Sequence, residues 1–223
     1  MSCPLCQDRK EKRYCPAVHR QICAQCCGEQ REVTLDCPSD CPYLQQARQH
    51  EKARAGSGLD RDAMFPEVEI AEQFLYEREH LIVGLSFALV KSARAQRSFD
   101  GHPLTDRDLI AALSSVAKSY QTLVESNLIY EHATANLAHR QIAREVETMV
   151  KEFREAEQKH LGHSRLRDSE VLQALVFLLR MGQARTSGRP KSRAYIDFLA
   201  AQFPEPPSPI AAPESPGSRL IIP

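Results

Sequence analysis

From residue 42 onward the chain has no cysteine, and it has no excess of charge of either sign: 29 basic and 29 acidic side chains leave a formal net charge of zero. That balance excludes a bulk field drawing the chain onto nucleic acid or an anionic membrane and leaves only local patches to weigh. Long apolar runs are missing as well. The longest, Leu81 to Val90, is interrupted by Gly84 and Ser86, and a bilayer span needs about 20 residues, so no membrane insertion is expected. The start, Met1-Ser2-Cys3-Pro4, lacks a charged region followed by an apolar one. The expectation is therefore no signal peptide and a cytoplasmic location, where thiols stay reduced. There is no phosphate-binding glycine loop, no Ser/His/Asp arrangement and no zinc pattern that keeps an open coordination position, so no enzymatic activity is expected.

What the chain does have is eight cysteines in its first 41 residues: Cys3, Cys6, Cys15, Cys23, Cys26, Cys27, Cys37 and Cys41. Disulfides or a metal explain such crowding. The spacing favours metal, because Cys3-Pro-Leu-Cys6 and Cys23-Ala-Gln-Cys26 each set two thiolates on one tight turn, able to share a tetrahedral ion. A segment of this size, with few large apolar residues between its cysteines, cannot hold itself together by a core. Structural zinc in small peptides supplies about 10–16 kcal/mol, enough to offset the ordering entropy of so short a stretch. With His19 there are nine candidate ligands, one more than two tetrahedral zinc ions require. Alternating ligand pairs suggest an interleaved arrangement, with Cys3 and Cys6 joined by Cys23 and Cys27 (or Cys26) at one ion, and Cys15 and His19 joined by Cys37 and Cys41 at the other. The surplus thiol of the Cys26-Cys27 pair leaves redox sensing open as an alternative.

The stretch Arg13-Tyr14-Cys15-Pro16-Ala17-Val18-His19-Arg20-Gln21-Ile22-Cys23 resembles the middle of HIT-type and MYND-type zinc fingers. The whole string, with Ile22-Cys23-Ala24-Gln25-Cys26-Cys27-Gly28 and Asp36-Cys37-Pro38-Ser39-Asp40-Cys41-Pro42-Tyr43-Leu44, is similar to an uncharacterised bacterial family that joins a Cys-rich start to a helical body. The finger resemblance implies a cross-braced interaction module, and the family resemblance implies no activity.

The rest reads as helices. Pro42 opens a short one, with Tyr43, Leu44 and Ala47 on one face, that ends before the Ala55–Asp60 linker. From Pro66 to about Phe99, Ile70, Phe74, Leu81, Leu85 and Leu89 show helical spacing that widens to an all-round apolar middle. After a turn at Asp100–Pro103, Thr105 and Asp108 form a box-like start for a helix reaching about Tyr130, with Leu109, Leu113, Val116, Tyr120, Leu123 and Leu128 in one stripe. Thr134 or Asn136 caps a helix to His160 with a narrow face of Ile142, Val146, Val150 and Phe153, stopped by Gly162. Asp168 caps an apolar helix to about Ala184, and Ala194 to Phe203 is the last. No alternation of period two occurs in the body, so the fold expected is all-α, a helical bundle with a small N-terminal zinc-binding module. A small hairpin is expected in the module, near Arg13 to Ile22 or Glu32 to Leu35. The divisions are 1–44 for the module, 45–203 for the bundle and 204–223 for a Pro-rich disordered tail.

Two patches in the body compete with a structural role. Glu77 and His80 have the Glu-x-x-His spacing of di-iron bundles, but the partner pair such a site needs is missing, and Glu77 reads better as a buried acid paired with an arginine such as Arg180. The basic turn Gly188-Arg189-Pro190-Lys191-Ser192-Arg193 could meet a phosphate or remain a solvated loop. The functional expectation is a protein-interaction or regulatory module with two structural Zn2+ ions held by Cys3, Cys6, Cys15, His19, Cys23, Cys26, Cys27, Cys37 and Cys41. Its partner would be a protein. A nucleic-acid-associated regulator and a metal-dependent enzyme in the bundle are the alternatives, and broad apolar helix faces also allow a homodimer.

Overall fold

The structure is a computed structural model, describing residues 1–54, 65–95, 101, 103–130, 132 and 134–204. The expected linker at 55–60 and the tail from 205 onward lie outside the described residues, as do Asp100 and His102 of the expected turn.

The described residues are mostly helical, with a single two-stranded sheet. Strand β1 (Arg13–Cys15) pairs antiparallel with β2 (Arg20–Ile22) in the register Arg13–Ile22, Tyr14–Gln21, Cys15–Arg20. Of the two expected hairpins, this is the one that forms. Its turn carries His19 at a positive φ of 51°. Helix α1 (Ala24–Gln30) follows at once, and α2 (Pro42–Arg54) opens beyond an irregular stretch. Arg13 stacks on the Tyr43 ring, 4.7 Å from its centroid, tying the hairpin to α2.

The body holds α3 (Glu72–Glu77), α4 (Glu79–Ala95), α5 (Asp106–Ser126), α6 (Leu137–Leu161), α7 (Asp168–Arg185) and α8 (Ala194–Ala200). α5 packs on α6 and α7, α4 on α6, and α8 caps the bundle against α4 and α7. The four long helices supply the core through Leu81, Leu85, Leu89, Leu109, Leu113, Ile142, Val146, Leu175, Leu178 and Leu179, all fully buried. On α6 the buried residues are Ala138, Ile142, Val146 and Val150, one position every four, so this long, charge-rich helix touches the core along one line. It ends where Gly162 takes φ 77° and donates its N–H to the Gln158 carbonyl, a left-handed cap that a side chain would strain. α7 and α8 approach closely at Gly182, where a Cβ would lie 3.0 Å from the Tyr195 ring and 3.1 Å from Ile110.

Besides a later start for the first body helix, at Glu72, and an earlier end for the last, at Ala200, four details differ from expectation. The first body helix is divided at Arg78, which leaves helical geometry while its guanidinium bonds both oxygens of Glu170, at 3.0 and 3.1 Å, and Glu157 at 3.4 Å. α5 stops at Ser126 with Asn127 in the left-handed region, so Leu128 is 64% exposed and leaves the stripe. Asp168 is the first helical residue of α7, and the cap is Arg167. Glu77 is exposed and accepts from Gln73, while Arg180 donates to the Phe65 and Val68 carbonyls. Within the bundle, a buried acid that does pair with an arginine is Glu170, with Arg78. Among the described residues no helix is long and apolar enough to cross a membrane.

Candidate metal centre

The first ligand pair sits on a turn closed by its own backbone: the Cys3 N–H donates to the Arg9 carbonyl and the Gln7 N–H to the Cys3 carbonyl, both at 2.7 Å. The second pair sits where β2 runs into α1. Cys23 is the N-cap, with extended backbone, and its sulfur accepts from the Cys26 N–H at 3.3 Å. Turn and helix start meet through the Cys23 N–H, which donates to the Cys3 sulfur at 3.2 Å. The ligand atoms of Cys3, Cys6, Cys23 and Cys26 all lie within 4.8 Å of one another. Cys3, Cys23 and Cys26 are buried and Cys6 is half-buried.

These distances match a metal. A tetrahedral ion with zinc–sulfur bonds of about 2.3 Å sets its sulfurs about 3.8 Å apart, and the Cys6 and Cys23 sulfurs are 3.9 Å apart. A disulfide needs about 2.05 Å, and all eight cysteines are free thiols. Four soft ligands in this arrangement suit zinc or an iron–sulfur group, and an all-thiolate tetrahedron leaves no open position.

The electrostatics show what such an ion would relieve. Burial raises Cys3, but N–H groups of Cys23, Cys6 and Leu5 outweigh it and bring the thiol down to about 6. The Cys26 N–H leads the causes that lower Cys23. Cys26 is pushed up to about 12, first by its bond with Cys23 and then by burial. Thiolates this close cannot all ionise against one another, and a divalent cation replaces the protons they would otherwise keep. The Arg9 guanidinium, 3.9 Å from the Cys23 sulfur, adds a fixed positive charge.

Cys26 and Cys27 part company because successive residues of a helix point about 100° apart. Cys26 turns to the first cluster. Cys27 faces a cavity of about 10 Å³ whose lining also includes Cys15, Cys37 and Cys41. Burial raises the Cys37 thiol against an opposing N–H bond from Glu32, and the charges of Cys15 and Cys41 raise it further. His19, expected beside Cys15, is exposed and lies outside both groups. The 100° rotation was the available signal for dividing the cysteine pair.

The basic turn at 188–193 faces inward, onto the cysteine module. Arg189 donates to the Gly28 and Arg31 carbonyls, and Lys191 binds the Thr34 carbonyl and Asp36. Arg193 donates to the Leu104 carbonyl. The centre of this seam is Glu32, buried and at φ 53°. Its carboxylate accepts from Arg48 at 2.8 Å and Ser187 at 2.9 Å, and its carbonyl from the Lys191 N–H at 2.8 Å. Arg48 also reaches Asp197 on α8, to which Ser39 donates. No signal in the sequence marks these partners, since most acceptors are backbone carbonyls. The Glu-x-x-His pair, Glu77 and His80, is exposed on both members and lines no core site.

Set against known protein families, curated proteins and solved structures, the chain matches none of them. The metal centre therefore stands on its own geometry.

Proposed function

We propose that the chain is a zinc protein of the cytoplasm without catalytic activity of its own, in which zinc is structural and the folded module with its helical bundle presents a surface to a protein partner. The convergence of four cysteine sulfurs within 4.8 Å carries this reading, because an ion closed by four protein ligands has no position left for substrate. The 3.9 Å sulfur spacing fits a single tetrahedral ion rather than a multi-iron cluster, and zinc is the ion proposed. The count proposed is two ions per chain, the second taken up below.

A protein partner is favoured by Leu128, Ile129 and Tyr130, three consecutive apolar residues that are 64%, 89% and 61% exposed. Apolar residues grouped on a surface mark contact sites more often than isolated ones do. The basic turn adds nothing to the nucleic-acid alternative, since Arg189, Lys191 and Arg193 are engaged within the fold, which leaves that alternative resting on Arg9, Lys10, Lys12, Arg13 and Arg20 of the module. Metal analysis of purified protein tests the zinc. Cross-linking with the full chain and an Ile129→Glu, Tyr130→Ser variant tests the surface. Protein that is folded, metal-free and disulfide-paired defeats the first half. Equal capture of the same partners by wild type and variant defeats the second.

A further inference from the structure

We propose a second tetrahedral metal site, formed by Cys15, Cys27, Cys37 and Cys41, that binds a zinc-like divalent cation and fastens the irregular segment 31–41 to the hairpin and α1. The proposal rests on the reading of the first cluster as a zinc site. The four residues line one cavity from four places: the end of β1, the first turn of α1, the irregular stretch, and the residue directly before α2, whose carbonyl accepts from Leu44 and Gln45. The cavity measures about 10 Å³, close to the volume that a single small species occupies. Cys15, Cys27 and Cys41 are buried free thiols and Cys37 is half-buried. Apart from the first cluster they are all the cysteines the protein has, and they make one complete set of four.

A second observation points to a charged occupant. Arg31 lines the same cavity, and its Nε is buried with no hydrogen-bond partner among the described residues. A buried N–H without an acceptor is costly, whereas a guanidinium beside a four-thiolate centre, which keeps a net charge of −2 after binding a divalent ion, meets a favourable field. The first cluster has the same companion in Arg9. Its sulfurs all lie within 4.8 Å, a spacing that the second set does not reach, so binding here draws the thiols inward and releases the protons that they carry.

The site also answers what orders the segment that meets the bundle. Between α1 and α2 no helix or strand forms, yet Glu32, Thr34, Asp36 and Ser39 all bond to the body from this stretch. An ion held by Cys37 and Cys41 on one side and Cys15 and Cys27 on the other fixes the segment at both ends.

The test is zinc per chain, by elemental analysis and by native mass spectrometry, on wild type and single variants. Two ions are expected for wild type, one for Cys27→Ser and for Cys37→Ser, and two for His19→Ala. Wild type with one ion overturns the second site while leaving the first. Loss of an ion in His19→Ala, or its retention in Cys27→Ser, overturns the ligand set. Wild type with none defeats the parent reading instead. Should a serine variant fail to fold, cobalt titration of wild type decides: two equivalents with all-sulfur absorption support the site, and saturation at one overturns it.

Discussion

Glu32→Gln is the sharpest perturbation of the seam between module and bundle. The substitution keeps shape and the Ser187 contact but removes a carboxylate that is buried, 2.8 Å from Arg48. Removing one partner of a buried ion pair costs roughly 3–5 kcal/mol. Here Arg48 keeps Asp197 at 2.6 Å and is itself only partly covered, so the expected loss is smaller, about 2 kcal/mol. For a chain of this length that corresponds to a fall in Tm of roughly 4–8 °C. The backbone adds a control, because Glu32 holds φ 53°. Asn tolerates that region better than Gln, so Glu32→Asn should lose the pair with less backbone strain and fall between wild type and Gln. A double-mutant cycle with Arg48→Met isolates the pair, with an expected coupling of about 1–2 kcal/mol. Hydrogen exchange should report faster exchange at 31–41 and at 187–193, with the α5 and α7 core unchanged. A coupling near zero, or faster exchange spread through the bundle, refutes Glu32 as the link.

Other outcomes follow from separate parts of the molecule. Glu170→Gln should destabilise by roughly 3 kcal/mol, because Arg78 loses its forked partner. For Glu170, burial acts to raise the carboxyl, but bonds from Arg167 and Arg78 outweigh it; for Glu157, burial is outweighed by bonds from Ser164, Arg165 and Leu166. Both carboxyls are thus lowered in the folded state. Their contribution is present above the unfolded carboxylate range and is lost as pH falls through the lower folded values, so acid unfolding of wild type should be steeper than that of the Glu170→Gln variant, followed by circular dichroism. Gly182→Ala should cost about 1–3 kcal/mol by overpacking against Tyr195 and Ile110, seen as a lower urea midpoint with unchanged slope. A strong chelator should remove amide protection from β1, β2 and α1 while leaving most of the helical signal. The bundle core contains no cysteine, and structural metal supplies the folding energy of small cysteine modules.

The helices were legible because their apolar spacing is local. Ile142, Val146 and Val150 sit on one line of α6, Gly162 stops it, and Thr105 donates to Asp108 at the start of α5. The crowding of cysteines likewise announced a metal module, and the hairpin formed around one of its expected positions. The illegible parts depend on residues far apart in the chain. Arg78 breaks its helix for acids about eighty and ninety positions away, and the 188–193 turn finds carbonyls of Gly28 and Arg31. Glu77 looked buried because its neighbours were apolar, but it falls on the outer side of α3. The cysteine pair lies between these cases. Its position on a helix sends Cys26 and Cys27 in different directions, a consequence of 3.6 residues per turn that spacing alone left open.

The most direct measurement is X-ray absorption at the zinc edge on the full chain as purified. The account predicts a shell of four sulfurs at about 2.3 Å with no lighter scatterer. A nitrogen or oxygen in the shell, or an absence of zinc with the cysteines paired as disulfides, contradicts it.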